Sequence, residues 1–118
     1  MNTLVVHVND PRFKDDPWAV YIGRATARAA DPRCRKPTLW KNMFVAGRDV
    51  TTKEEAIRRY EAMIRLWLRT GTLKPEQLLA LDGKVLGCWC KPEACHGDVL
   101  VRLIDELKVQ RAKLGARP

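Results

Sequence analysis

The chain predicts a small single α/β domain, with a short mixed or parallel sheet packed by helices and a Rossmann-like arrangement within its range. Three observations carry that expectation. Short β-type runs alternate with helical patterns along the sequence. The last of these runs leads through a loop into a well-patterned helix. The length, 118 residues, suits one hydrophobic core and not two. The domain is assigned to residues 1–107, and residues 108–118 are read as a basic helix end and tail.

Leu4-Val5-Val6-His7-Val8 reads as a buried strand, and Ala19-Val20-Tyr21-Ile22 as a second that runs into Gly23-Arg24. From Arg24 to Gly47 no period holds. Asp31-Pro32, Lys36-Pro37 and Gly47 break the chain there, yet Leu39, Trp40, Met43 and Phe44 interleave with them. A loop this long in a small domain is a frequent home for function.

The clearest helix covers residues 53–69. Ala56, Ile57, Tyr60, Met63, Ile64, Trp67 and Leu68 fall on one stripe, Thr52 and Glu55 make a capping box, and Gly71 marks the stop. Glu54–Arg58, Glu55–Arg59 and Glu61–Arg65 are spaced for i,i+4 ion pairs. Pro75 opens a short helix over Glu76–Leu81, Asp82-Gly83 turns, and Val85–Cys90 forms a third strand. A final helix starting near Gly97 or Asp98 buries Val99, Leu100, Leu103, Ile104 and Leu107.

The net charge of +8 is concentrated in two blocks. Residues 24–41 carry Arg24, Arg28, Arg33, Arg35, Lys36 and Lys41 against Asp31 alone, and residues 108–118 carry Lys108, Arg111, Lys113 and Arg117 with no acid. Such blocks attract a polyanion, although a solvated loop and a helix end complementing its dipole explain them equally. No apolar run is long enough to span a bilayer and no export signal opens the chain, so the expected compartment is the cytoplasm with reduced or metal-bound cysteines.

Chemistry is most concentrated in Cys88-Trp89-Cys90-Lys91-Pro92-Glu93-Ala94-Cys95-His96. Strand alternation puts Cys88 and Cys90 on one side, and Cys95 with His96 arrives at the first turn of the last helix. One reading is zinc on Cys88, Cys90, Cys95 and His96, or with Cys34 in place of one of them, since thiolates and imidazole suit tetrahedral zinc. The C-x-C-x4-C-H spacing is not a common zinc signature. A second reading is an anion pocket on the helix start, lined by Cys95, His96 and Gly97. A third makes Cys95 a nucleophile, with His96 or His7 as its proton partner. The fourth treats the cysteines as small buried hydrophobes. Iron–sulfur ligation would need Cys34 and lacks the usual spacing.

Around this cluster, Gly23 permits close approach and Arg24 could clamp a phosphate. Asn42 could orient a ligand or satisfy loop backbone, and Asp98 is a helix cap that could also meet an imidazole or a nucleotide hydroxyl. Trp18, Trp40 and Trp89 could stack on a base or pack in the core.

Gly83-Lys-Val-Leu-Gly-Cys-Trp-Cys-Lys-Pro-Glu-Ala-Cys-His-Gly-Asp-Val-Leu100 closely resembles the ending of the DUF4326 family, uncharacterised proteins of bacteria and phages. Val20–Arg24 resembles its first motif, Asn42 and Phe44 its Gly-Asn-Pro-Phe motif, and Glu55, Ile57, Tyr60 and Trp67 its middle helix. Lys41 and Met43 replace the glycine and proline usual there. The resemblance implies no reaction, but the phage setting implies a role near DNA or nucleotides. Cys95-His96-Gly97 is more weakly similar to the Cys-His-Arg ending of the DUF488 family, whose arginine is missing here. Together these point to a nucleotide- or nucleic-acid-binding protein with a phosphate-recognising face beside a zinc-supported Cys/His cluster. The alternatives are a cysteine-dependent enzyme acting on a nucleotide or modified base, and a structural or interaction protein. Oligomeric state is not legible.

Overall fold

In the computed structural model, which describes residues 2–115, the chain is a small α/β domain. The elements are β1 (Leu4–His7), α1 (Pro11–Lys14), β2 (Val20–Tyr21), a 3₁₀ turn (Pro32–Arg35), α2 (Lys53–Thr70), α3 (Pro75–Leu79), β3 (Val85–Cys88) and α4 (His96–Gly115). The three strands form one parallel sheet in the order β1-β3-β2. β2, the α2–α3 crossover and β3 make a parallel βαβ unit, and β1 lines the other side of β3. All three strands therefore end at the same edge, where Cys88 lies beside His7 and Tyr21 beside Gly87.

Two cores cover the sheet. On one face, Ile22, Leu86 and Cys88 meet Tyr60 and Ile64 of α2, Leu78 of α3, and Val99, Leu100, Leu103 and Ile104 of α4. On the other, Val6, Val8 and Tyr21 pack with Phe13, Ala29 and Cys34. Both faces of a parallel sheet need such cover. The stripe expected on α2 is core, with Ala56, Tyr60 and Ile64 buried and Ile57, Met63, Trp67 and Leu68 packed beside them.

The helix boundaries follow local chemistry. Thr52 Oγ1 accepts from the Glu55 N–H (3.1 Å) and α2 stops at Gly71. Glu55–Arg59 and Glu61–Arg65 pair as expected and Glu54 does not pair with Arg58, while Arg65 also reaches Glu106 of α4 (2.9 Å). The structure corrects three boundaries. β3 ends at Cys88, so Cys90 lies in the following turn and not on the strand. α4 begins at His96, a residue before the expected start. The one-turn α1 was not expected, although Asp10 caps it and Pro11 occupies its first turn. Among the described residues no helix is long and apolar enough to cross a membrane.

Half of the first basic block, Arg24, Arg33 and Arg35, is engaged within the domain. Arg33 donates to the carbonyls of Phe13 (3.0 Å) and Asp16 (2.8 Å), pairs with Asp31 (2.7 Å) and lies 4.2 Å from the centre of the Phe13 ring. Arg35 donates to the Ala29 carbonyl (2.8 Å). In the second block Lys108 pairs with Asp82 (3.3 Å) and Arg111 with Glu76 (2.7 Å), and Arg117 lies outside the described residues. Much of the charge that the sequence offers to a polyanion is already engaged within the domain.

Candidate functional site

At the carboxyl edge of the sheet a cavity of about 560 Å³ opens between the turns after β2 and β3, the 42–46 segment and the start of α2. Open α/β sheets commonly bind ligands at this edge. Gly23, Arg24, Asn42, Cys88, Cys90, Cys95 and His96 all line it, so seven residues singled out from sequence share one wall system. Phe44, Ala56 and Ile57 supply apolar surface. Lys53, in the first turn of α2, adds a cation that sequence reasoning passed over as an ordinary helix residue. Its one local signal was its place directly after the Thr52 cap.

The thiols form a graded cluster. Cys88 and Cys95 are each 1% exposed, and Cys95 Sγ donates to Cys88 Sγ at 2.9 Å. Among the described residues no group of three His, Cys, Asp or Glu side chains stands in metal-holding geometry. Cys90 is partly exposed and opens onto the cavity. The neighbouring Cys88 and then Cys95 thiols lower the Cys90 pKa, with Lys53 and His96 adding to the effect. The Cys88 thiol is pushed up chiefly by its neighbour Cys90, and the Cys95 thiol by its neighbours Cys88 and then Cys90.

His96 is buried and oriented from two sides. Nε2 lies 2.7 Å from the Ile22 carbonyl, which can only accept, so Nε2 carries the proton and Nδ1 is bare. Nδ1 stands 3.7 Å from Cys95 Sγ, and the ring meets Tyr60 edge-on at 4.9 Å. Burial lowers the His96 pKa and keeps the imidazole neutral.

Several expected ligand groups have structural partners instead. Arg24 Nε donates to the Asn42 carbonyl (2.9 Å) and Nη2 to the Phe44 carbonyl (3.3 Å), which ties the cavity's outer segment to β2. Asn42 Nδ2 donates to the Ala56 carbonyl (3.3 Å) and Oδ1 accepts from the Phe44 N–H (2.9 Å). A Cβ on Gly23 would meet the Tyr21 hydroxyl at 2.5 Å. That hydroxyl donates to the Arg24 carbonyl and accepts from Trp89 Nε1 (2.8 Å).

The start of α4 is also self-satisfied. Cys95 Sγ accepts from the Gly97 N–H (3.4 Å), and Asp98 Oδ2 accepts from the Cys95 N–H (3.2 Å) while Oδ1 pairs with Lys91 (2.7 Å). Gly97 lies tight against the sheet, where a Cβ would come 2.7 Å from Val5 and 2.8 Å from Ile22. Neither Gly97 nor Asp98 lines the cavity.

His7 is not brought to Cys95. Its Nδ1 accepts from the Asn9 N–H (3.0 Å) and its ring meets Trp89 edge-on at 5.7 Å. Cys34 is fully buried in the core on the opposite face of the sheet and does not join the cluster. Of the tryptophans, Trp89 lines the cavity, Trp40 is core and Trp18 is exposed.

Residues 6–106 match the family model described as "Domain of unknown function (DUF4326)". The chain is similar to the "Uncharacterized 12.4 kDa protein in nrdA-td intergenic region" of Enterobacteria phage T4. The two are 31% identical over 77 residues, which cover 65% of this chain and 69% of the relative. No solved structure matches the chain.

Proposed function

The chain belongs to the DUF4326 family, and from that premise we propose that its cavity binds a small anionic molecule of nucleotide type beside a thiol cluster. One observation carries this reading: a cavity of about 560 Å³ combines apolar walls at Phe44 and Ile57 with the cations Lys53 and Arg24 and a partly exposed thiol. Its volume lies within the range of about 300–1,000 Å³ usual for small-ligand sites. The apolar wall suits a base. Lys53 suits a phosphate, because it lines the cavity and its ion-pair partner Glu93 (2.7 Å) is an exposed side chain that an anionic ligand can replace. Phosphate recognition thus moves from the start of α4, where Asp98 is unfavourable to an anion, to the Lys53 side.

A free nucleotide is favoured over a nucleic acid by the cations outside the cavity that are already engaged, notably Arg33, Arg35, Lys108 and Arg111. The test is a thermal-shift and NMR titration with nucleoside 5′-monophosphates, nucleosides and inorganic phosphate, with a DNA duplex as comparison. Monophosphates are expected to raise the melting temperature, and Ile57→Trp, which fills the cavity, to remove the response. Tight duplex binding that falls steeply with salt, with no nucleotide response, would replace this reading by a nucleic-acid interface.

Zinc on Cys88, Cys90, Cys95 and His96 is the rival use of the same groups. Its support is the imidazole held through Nε2 by a backbone carbonyl, the usual way a metal-bound histidine is oriented. Elemental analysis of protein purified without added metal separates the two. About one zinc per chain would make the cluster a structural support of the pocket and not a set of free thiols.

A further inference from the structure

We propose that the groove between α4 and the edge strand β1 is the interface of a symmetric dimer, filled by the α4 of a second copy of this chain running antiparallel. The groove shares no lining residue with the cavity beside the thiol cluster, so the proposal is independent of how that cavity is used. Position is the first ground. In the sheet order β1-β3-β2, β1 pairs only with β3 among the described residues, and α4 packs against it. A groove of about 780 Å³ runs beside the two, with Leu4 and Val5 on the strand side and Val101 and Val109 on α4. Leu4 is 41% and Val109 54% exposed, so apolar surface stands in water there without a partner from its own domain.

The second ground is charge. Of the ionic groups on this flank of α4, Asp98 pairs with Lys91, Arg102 with Glu61 and Glu106 with Arg65. Asp105 and Lys113 also line the groove, are exposed and have no ion-pair partner among the described residues. They stand four residues before and four residues after Val109, on one ridge of the helix. A twofold axis at Val109 therefore sets Val109 against the partner's Val109, Asp105 against the partner's Lys113, and Lys113 against the partner's Asp105. The stripe is complementary to itself when reversed, which is what a twofold interface requires, and every contact in it occurs twice. Strand addition at β1 is the weaker use of this flank, since a four-residue edge strand offers few backbone pairs.

The test is sedimentation velocity of the full chain over a concentration series at low salt, where such ion pairs are least screened. The parent is expected to pass from monomer to dimer as its concentration rises. Asp105→Lys and Lys113→Asp each turn two attractions into two repulsions and are expected to weaken association about tenfold or more. The double exchange, carrying both substitutions, is expected to restore it toward the parent. Val109→Arg places two like charges on the axis and should leave a monomer. All three positions are exposed, so circular dichroism should be unchanged in every variant. A parent that stays monomeric throughout the series overturns the proposal and leaves the groove to a different chain. A dimer that these variants do not weaken also overturns it and moves the association to another face, such as the open edge of β1. Single charge variants that weaken the dimer, with no recovery in the double exchange, would rule out the antiparallel register.

Discussion

The imidazole of His96 donates from Nε2 to the carbonyl of Ile22 at 2.7 Å, fastening the first residue of α4 to the residue that follows β2. Both residues are buried, so removing the donor leaves a carbonyl without a partner and a space beside Tyr60. His96→Ala is expected to cost about 1–3 kcal/mol for the unpaired carbonyl, with a further cost for the lost ring contacts. Urea denaturation followed by circular dichroism measures it. A midpoint equal to that of the parent would mean that this bond does not hold α4.

The same histidine sets a pH dependence. Burial lowers its folded-state pKa below the ordinary 6.5, so between the two values the unfolded chain binds a proton that the folded chain does not. Stability from this group is therefore fully present above about 6.5 and declines as the pH falls below it. Denaturation midpoints at pH 7.5 and 5.5 should differ more for the parent than for His96→Gln. Equal pH responses in the two proteins would place the titration elsewhere.

What the sequence disclosed and what it withheld divide by range. α2 was legible because its cap at Thr52, its apolar stripe and its stop at Gly71 are all local. The cysteine cluster was legible as a location, since strand end and helix start must lie near each other in so short a segment. Its internal order was not, because continuing β3 to Cys90 treated two thiols as equivalent that the structure separates into a buried Cys88 and an accessible Cys90. Arg24 and Asn42 looked like ligand groups because their partners, the carbonyls of residues 42, 44 and 56, lie 14 to 20 positions away. Lys53 reaches the cavity through the packing of α2 on the sheet, which no local pattern encodes.

The basic segment 24–41 offers a contrast between neighbouring cations. Arg33 links the 3₁₀ turn to α1 through two carbonyls, an ion pair and the Phe13 ring. Lys36 is exposed and Arg33 is not. Arg33→Gln is expected to lower stability by about 2 kcal/mol, as loss of charged hydrogen bonds to partly buried carbonyls does, and Lys36→Gln to change it by less than about 0.5. Thermal unfolding of the two variants gives the comparison. Similar small effects would return Arg33 to the pool of free surface charge.

Gly97 tests how closely α4 must approach the sheet. A methyl group there would come within 2.7 Å of a Val5 methyl and 2.8 Å of the Ile22 side chain, and the helix start offers no room because Cys95 and Asp98 already lock its geometry. Alanine favours a helix interior over glycine by about 1 kcal/mol, so a position in free space would gain stability. Here overpacking of about 1–3 kcal/mol opposes that gain and exceeds it. Gly97→Ala should therefore lower the urea midpoint. Because the displaced helix start carries Cys95 and His96, it should also raise the alkylation rate of Cys95 relative to the parent. A more stable protein with unchanged labelling would mean that α4 stands farther from β1 than the contact with Val5 implies.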